Sequence, residues 1–427
     1  MRHMLDVLPG AVLPDPVAES ADPGAPLAPP DDDDLLRPRI EEELFRVGAR
    51  GSLVGAQPTA LAKHLVWTFG PVHRALPFPL QLRVELDGGR LVTVDPEVGF
   101  LHQGLEKALE QVSFRAGFEV IARASPLSPV GYQLCWALAV ERLCGVAERV
   151  PKRAQLWRVA VLELARVADH LAVLAQPALA PASARLRRAL AEVARDARGL
   201  VDGLARSGAF AGIGGLARPL HDDEATRIAR ALPRVLEVVR GVQNALTESA
   251  ALDAHLEGLG RITRQEALSL SLTGPALRAT GVADDLRKSE PVFAYDDLPV
   301  EAAVAHGGCA RCRGRVRLEE ILFGGDVALR ALDRLSSAPP EIALDDGALK
   351  EPLATPAGVA AASLELASGE LSVIVVSDGT DKPRRARVRG PSSALAAALP
   401  EILVGDRIDD VIPVLQGLGL TGTEVDR

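Results

Sequence analysis

Leu80, Leu82, Val84 and Leu86 alternate with Gln81, Arg83 and Glu85, the period-two pattern of a strand with one buried face. Asp87-Gly88-Gly89 supplies the positive φ angles of a tight hairpin turn, so Arg90 to Val94 returns as the partner strand. Pro96 to Gly99 ends that pairing, and Leu101 to Ala124 reads as one long helix. Ser125 to Pro129 is a break, because its two prolines cannot lie in a helix interior. Beyond it the apolar period is helical over Leu134 to Ala147, Pro151 to about Gln176 and Ser183 to Leu204. It is helical again over Asp222 to about Leu259, with a kink expected at Pro233, and over Arg264 to Leu270 and Arg315 to Leu335. The Leu134 helix is apolar almost all round, which predicts burial. In the helix opening at Pro151, Glu163, Arg166 and His170 share one face at i, i+3 and i+7. The polar run Asp284 to Asp297 reads as loop. Ala361 to Leu366, Leu371 to Val376 and Arg384 to Val388 form an antiparallel meander, and a last helix spans Ser392 to Leu403. The sum is an α+β fold, a large central helical bundle flanked by an N-terminal β-hairpin region and a C-terminal antiparallel meander.

Composition sharpens the domain picture. Residues 1–40 are rich in Pro and Ala and carry the carboxylate run Asp31 to Asp34, so they read as a disordered acidic leader. Residues 41–427 read as a single domain, with a hairpin region over 68–100, a helical core over 101–336 and a meander and tail over 340–427. Hydrophobic residues make up 48% but aromatics only 3%, so the core is built from Ala, Leu and Val, a mixture that favours helices. A net charge of -9 argues against a general nucleic-acid binder, which needs a basic face to release counterions. No apolar run reaches the roughly 18 residues of a membrane span, and the N-terminus lacks a signal-like apolar segment. A cytoplasmic protein is expected.

Local chemistry is sparse. Cys309-Ala310-Arg311-Cys312 is a C-x-x-C, but a structural zinc site needs four ligands and no second pair supplies them. Metal binding there is the lesser reading, beside a loop that simply contains two cysteines. Cys135 and Cys144 fall on a buried helix and read as core thiols. His102, Glu106 and His170 could form a ligand set, although histidines beside carboxylates are more often ordinary hydrogen-bonded pairs. Gly208 to Gly215 lacks the Lys-Ser/Thr ending of a phosphate loop and reads as close backbone packing or a turn. No reaction follows from these residues alone.

The wording of several segments does carry a resemblance. Gly70-Pro71-Val72-His73, the run Leu82 to Gly89 and the run Asp95 to Lys107 resemble the D subunit of bacterial NADH-quinone oxidoreductase. That family belongs to respiratory complex I and is related to the large subunit of nickel-iron hydrogenases. The likeness continues through Ala139 to Leu143, Pro151 to Gln155 and Asp169 to Leu171. It returns at Asp285 to Pro291, Ala294 to Asp296, Val376 to Thr380 and Glu424 to Arg427, so it is collinear over roughly residues 68–427. It implies a subunit of a proton-translocating NADH-quinone oxidoreductase, in the peripheral arm against the membrane-arm subunits. Such a subunit lies on the cytoplasmic side of the inner membrane and helps form the quinone chamber. The adjoining peripheral-arm subunit carries the terminal 4Fe-4S cluster, and the chain itself binds no cofactor. Hydrogenase relatives hold their metals with two C-x-x-C pairs, one near each end, and Cys309 and Cys312 stand in neither place.

Several positions depart from that family. Where it carries a quinone-facing histidine and a quinone-facing tyrosine, this chain has Pro77 and Pro126. Gln103 replaces an arginine near the cluster, and Ser207 and Gly212 replace a cluster-tuning histidine and a nearby arginine. Ala180 replaces a carboxylate. His73, His102, Glu106, Lys107, Arg123 and His170 are retained, with Arg123 implied to act electrostatically near the cluster. Two roles follow: a true subunit with an altered quinone chamber, or a divergent paralogue that serves as a scaffold in a related membrane-bound redox complex. A stand-alone enzyme with its site at Cys309 and Cys312 is a third. The polar segment Asp285 to Pro291 is expected to be exposed docking surface, favouring the first two.

Overall fold

The structure is a computed structural model that describes residues 65–427, apart from 209, 211, 221, 351, 352, 354 and 427. The acidic leader lies outside the described residues.

The hairpin forms as its pattern requires. Strands β1 (Leu65–Phe69), β2 (Gln81–Asp87) and β3 (Arg90–Glu97) make an antiparallel sheet in that order. Gly88 and Gly89 take φ of 55° and 80° at the turn, which side chains with a Cβ rarely adopt. Leu82, Val84, Leu91 and Val94 are buried in one apolar cluster with Leu399, Leu403, Val411 and Val414 from the end of the chain. The N-terminal sheet and the C-terminal tail therefore share a core.

The long helix expected over Leu101 to Ala124 is broken into α1 (Leu105–Leu109), α2 (Gly117–Ile121) and a 3-10 turn over Ala122–Ala124. Between α1 and α2 the chain inserts Phe114, fully buried, into the main core. Its N–H donates to Asp381 O at 3.1 Å and its carbonyl accepts from Trp136 Nε1 at 2.8 Å. Tertiary partners replace helical hydrogen bonds there, and periodicity alone does not register that exchange.

The bundle consists of α3 (Pro129–Leu143), α4 (Lys152–Leu174), α5 (Ala184–Ser207), α6 (Asp222–Glu248) and, after three short helices, α10 (Ala310–Ser337). The short helices are α7 (Arg264–Ser269), α8 (Gly274–Arg278) and α9 (Leu286–Ser289). Pro129 opens α3 at its first turn, where its missing N–H costs nothing. Helix α4 packs against α3, α5 and α10, and nearly every side chain from Ala154 to Leu174 is buried. Gly324 and Gly325 let α10 approach closely. A Cβ on Gly324 would stand 2.5 Å from Glu163 Oε2, and one on Gly325 would stand 2.4 Å from the Leu236 side chain. Helix α6 stops at Glu248, short of the expected Leu259. Two 3-10 turns follow, and they bring Asp253 to Arg311 at 3.0 Å and Arg315 at 2.8 Å.

The meander is β4 (Gly358–Leu366), β5 (Gly369–Ser377) and β6 (Arg385–Arg389), antiparallel in sequence order. It lies on α3, with Cys135 Sγ donating to Ala362 O at 3.4 Å and Arg142 donating to Ala361 O at 2.8 Å. The last predicted helix is split into α11 (Pro391–Ala397) and α12 (Leu399–Leu403), because Pro400 cannot donate to the preceding turn. Two more follow, α13 (Val411–Leu418) and α14 (Gly422–Val425). Among the described residues no helix is long and apolar enough to cross a membrane.

Candidate functional site

The loop from His73 to Phe78 is held by two anchors. Ala75 N–H donates to His73 Nδ1 at 3.2 Å, and Ala75 O accepts from Gln416 Nε2 at 2.7 Å. The other end of that amide, Gln416 Oε1, accepts from Ala178 N–H at 3.0 Å. One buried glutamine thus ties the loop before β2 to α13 and to the segment after α4. Gly422 is required at the same place, since a Cβ there would stand 2.8 Å from the Phe78 side chain.

This arrangement leaves an apolar cavity of about 780 Å³, counted with its open mouth. Pro77 lines it from the loop before β2, Pro126 and Leu127 from the loop before α3, Gln176 from the segment after α4, and Leu420 and Thr423 from the C-terminal tail. Gln416 spends both amide ends on backbone. The Thr423 hydroxyl is different: it is buried and has no hydrogen-bond partner among the described residues. A buried unpaired hydroxyl is costly, and a turn of the Thr423 side chain about χ1 would bring it to a ligand in the cavity that accepts from it.

The tail is stapled around this cavity. The Asp426 carboxylate accepts from Gly99 N–H at 2.6 Å and Leu101 N–H at 2.8 Å, and His102 Nδ1 meets Asp426 O at 3.1 Å. Glu424 is buried and accepts from Ser392 Oγ at 2.5 Å. Burial raises its pKa despite hydrogen bonds from Ser392, Ser125 and Tyr132. Behind the cavity a narrower polar gap shares Leu127, Val173, Gly419 and Thr421 with it. Asp169 borders that gap, hydrogen-bonded to Ser128 and, at 2.7 Å, to Arg198. Burial lifts the Asp169 carboxyl to about 6 even with Arg198 beside it.

Deeper lies a buried ionic cluster. Glu163 pairs with Arg166 at 3.1 Å and Arg287 at 3.0 Å, and accepts from Tyr295 OH at 2.5 Å. Arg287 also pairs with Asp285 at 2.6 Å. Arg278 pairs with Glu320 at 2.7 Å and Glu365 at 2.9 Å. Arg317 carries only donors, so its Nη1 at 3.1 Å makes His170 Nδ1 the acceptor. The His170 ring proton then sits on Nε2 and donates to Glu320 Oε2 at 2.8 Å. Burial drives His170 down to about 4, so the ring is neutral at pH 7. Four arginines here face four carboxylates, which leaves the cluster close to charge balance. The segment Asp285 to Pro291 is therefore not simply docking surface: Asp285 and Arg287 are buried ion-pair partners. Beside them, residues 288–291 are exposed.

A second buried clamp explains the glycine-rich stretch. Arg158 pairs with Glu141 at 2.7 Å and donates to Gly212 O at 2.7 Å and Gly215 O at 2.8 Å, while Gly214 N–H donates to Glu141 at 2.7 Å. The stretch packs as backbone against a salt bridge.

Comparison with known proteins identifies the family and the fold. The family model for the respiratory-chain NADH dehydrogenase 49 kDa subunit matches residues 201–427. The chain belongs to that family. It is 30% identical over 390 residues to the D subunit of NADH-quinone oxidoreductase from Myxococcus xanthus, covering 86% of this chain and 93% of the relative. The second of the D subunits from Chloroflexus aurantiacus is 33% identical over 393 residues, covering 85% and 94%. Among solved structures, a chain of the membrane-bound sulfane sulfur reductase, an archaeal respiratory membrane complex, superposes with a TM-score of 0.76. That match has 30% identity and covers 86% of this chain and all of the other.

Within this 49 kDa fold the candidate residues fall into groups. Pro77 and Pro126 share the cavity, and His73 anchors its loop. His102 lies against the tail, with Gln103 exposed beside it. Arg123 is exposed in the turn just before Pro126 and makes no hydrogen bond or ion pair with the described residues. His170 is walled inside the ionic cluster rather than lining the cavity. Ala180 is buried after α4, Gly212 belongs to the Arg158 clamp, and Ser207 ends α5. Cys309 and Cys312 stand apart, at the start of α10, and among the described residues no three His, Cys, Asp or Glu side chains are grouped to hold a metal. Sequence reading did not single out Thr423, Gln176, Gln416 or Asp169. Thr423 stands next to Glu424, where the family likeness resumes, and that neighbourhood was the available signal.

Proposed function

We propose that the chain is a peripheral-arm subunit of a membrane-bound respiratory oxidoreductase and walls its quinone chamber beside a partner subunit carrying the terminal 4Fe-4S cluster. The observation that carries this reading is the cavity. Pro77 and Pro126, which take the places of the family's headgroup donors, line it together with Thr423, whose buried hydroxyl is unpaired. Neither proline side chain can donate a hydrogen bond. The Thr423 hydroxyl and the Gln176 amide would then donate to the quinone carbonyls, while the apolar wall holds the ring and tail. Quinone reduction takes up protons as well as electrons. Asp169, whose carboxyl burial lifts to about 6, borders the gap behind the chamber and would serve as a proton source. Electrons would come from the cluster of the neighbouring subunit.

A second reading is favoured by the two prolines themselves: a scaffold in a related respiratory complex, keeping the chamber wall without binding quinone. Affinity isolation of the tagged chain from native membranes tests both. Recovery with membrane-anchored and iron–sulfur subunits and quinone reduction supports the first. The same complex without quinone reduction supports the scaffold. Recovery of the chain alone contradicts both.

A further inference from the structure

Cys309 is the N-cap residue of α10, a helix of 28 residues, and Cys312 lies one turn on. Their sulfurs are 3.4 Å apart. Cys312 has a single S–H and two acceptors in reach, Cys309 Sγ and His306 O at 3.2 Å. Cys309 is buried, whereas Cys312 is partly open to solvent.

Arg313 supplies the complementary charge. Its guanidinium is 1% exposed and donates from Nη1 to Gly260 O and Gly308 O, both at 2.9 Å. Its Nε and Nη2 have no partner among the described residues, and no carboxylate forms an ion pair with it there. A buried cation without a paired anion is strongly unfavourable. The Cys309 thiol, brought down to about 5 by the hydrogen bond from Cys312, and Asp406 supply negative charge that acts on it. The pair thus holds one proton between two sulfurs, beside a fixed positive charge.

We propose that Cys309 and Cys312 form a reversible dithiol–disulfide pair, oxidised by exchange with a small organic or protein disulfide. The proton on Cys312 passes to Cys309, and the Cys312 thiolate attacks the incoming disulfide RSSR. A Cys312–SR bond forms and one RS⁻ leaves. Cys309 gives up that same proton, and its thiolate then attacks the Cys312 sulfur. The Cys309–Cys312 bond forms, the Cys312–SR bond breaks and the second RS⁻ leaves. The pair's one proton ends on one released thiol and solvent protonates the other; the two cysteines are oxidised, and RSSR is reduced. Oxidation removes the anion facing Arg313 at the head of the helix that also carries Arg317 and Glu320.

The test uses the full-length protein in buffers of graded oxidised and reduced glutathione. Acid quenching and alkylation are followed by peptide mapping with a protease that leaves residues 309–312 together. The expected result is an intrachain disulfide in that peptide, titrating reversibly as a two-electron couple, with Cys135 still free. In Cys309→Ser a glutathione adduct should persist on Cys312, at least tenfold more abundant than in the unsubstituted protein, while Cys312→Ser should leave Cys309 largely unmodified. Two free thiols at the most oxidising ratio would overturn the proposal. So would a stable Cys312 adduct in the unsubstituted protein.

Discussion

Pro77 and Pro126 line one apolar cavity, although one stands in the loop before β2 and the other in the loop before α3. Each brings a ring with no side-chain donor to a wall whose remaining polar groups are few. Thr423 lines the same wall with Gln176, and its buried, unpaired hydroxyl is a donor that a χ1 turn would bring to the cavity.

Restoring donors at the two prolines should therefore strengthen quinone binding. A regained hydrogen bond is worth about 1 kcal/mol, so Pro77→His with Pro126→Tyr, which restores two, should lower the quinone KM by about thirtyfold. Steady-state kinetics of the purified complex check this. Both positions are exposed, so the substitutions should leave stability nearly unchanged.

Arg287 holds Glu163 and Asp285 together inside the core. Arg287→Met should cost about 3–5 kcal/mol, because it leaves buried carboxylates short of their cation. Urea unfolding measures the loss. Adding Glu163→Gln and Asp285→Asn should recover part of it, as expected when the penalty is uncompensated charge.

That cluster also marks where sequence reading stops. The hairpin was legible because Asp87-Gly88-Gly89 fixes the turn and the alternation from Leu80 to Leu86 fixes the buried face. The meander was legible for the same reason. Asp285 to Pro291 read as exposed because charge normally means solvent, and only the tertiary partners Glu163 and Arg278 make burial tolerable there. The stretch from Leu101 to Ala124 read as one helix because its period holds, while Phe114 leaves it for partners distant in sequence. At the site, the family likeness brought Pro77 and Pro126 to attention together. Thr423 carries no pattern of its own, since an unpaired hydroxyl is visible only once its neighbours are in place.

His170 donates from Nε2 to Glu320 and accepts at Nδ1 from Arg317, so its neutral form is built in. Its pKa is lowered to about 4 in the folded chain, from an unfolded value of 6.5. Between those values the unfolded state binds more protons, so stability is full above about pH 6.5 and is lost as pH falls toward 4. The loss attributable to this ring is about 3 kcal/mol. Comparing unfolding free energies of the protein and His170→Asn across that window should show a shallower slope in the variant.

Gly324 faces Glu163 across the α4–α10 contact. Gly324→Ala would place a methyl 2.5 Å from Glu163 Oε2, so despite the better helix propensity of Ala it should destabilise by about 1–3 kcal/mol. Thermal unfolding tests this, with Gly199→Ala as the contrast, since a Cβ there meets nothing and should be neutral or stabilising.

The most direct test of the chamber is the quinone KM of the purified complex carrying Thr423→Val. The substitution keeps the shape of the side chain and removes a hydroxyl that no described protein group uses. The account predicts an intact complex of equal or greater stability whose quinone KM rises by about fivefold, the loss of one hydrogen bond to a carbonyl. An unchanged KM in an intact, active complex would contradict it and place the quinone outside this cavity.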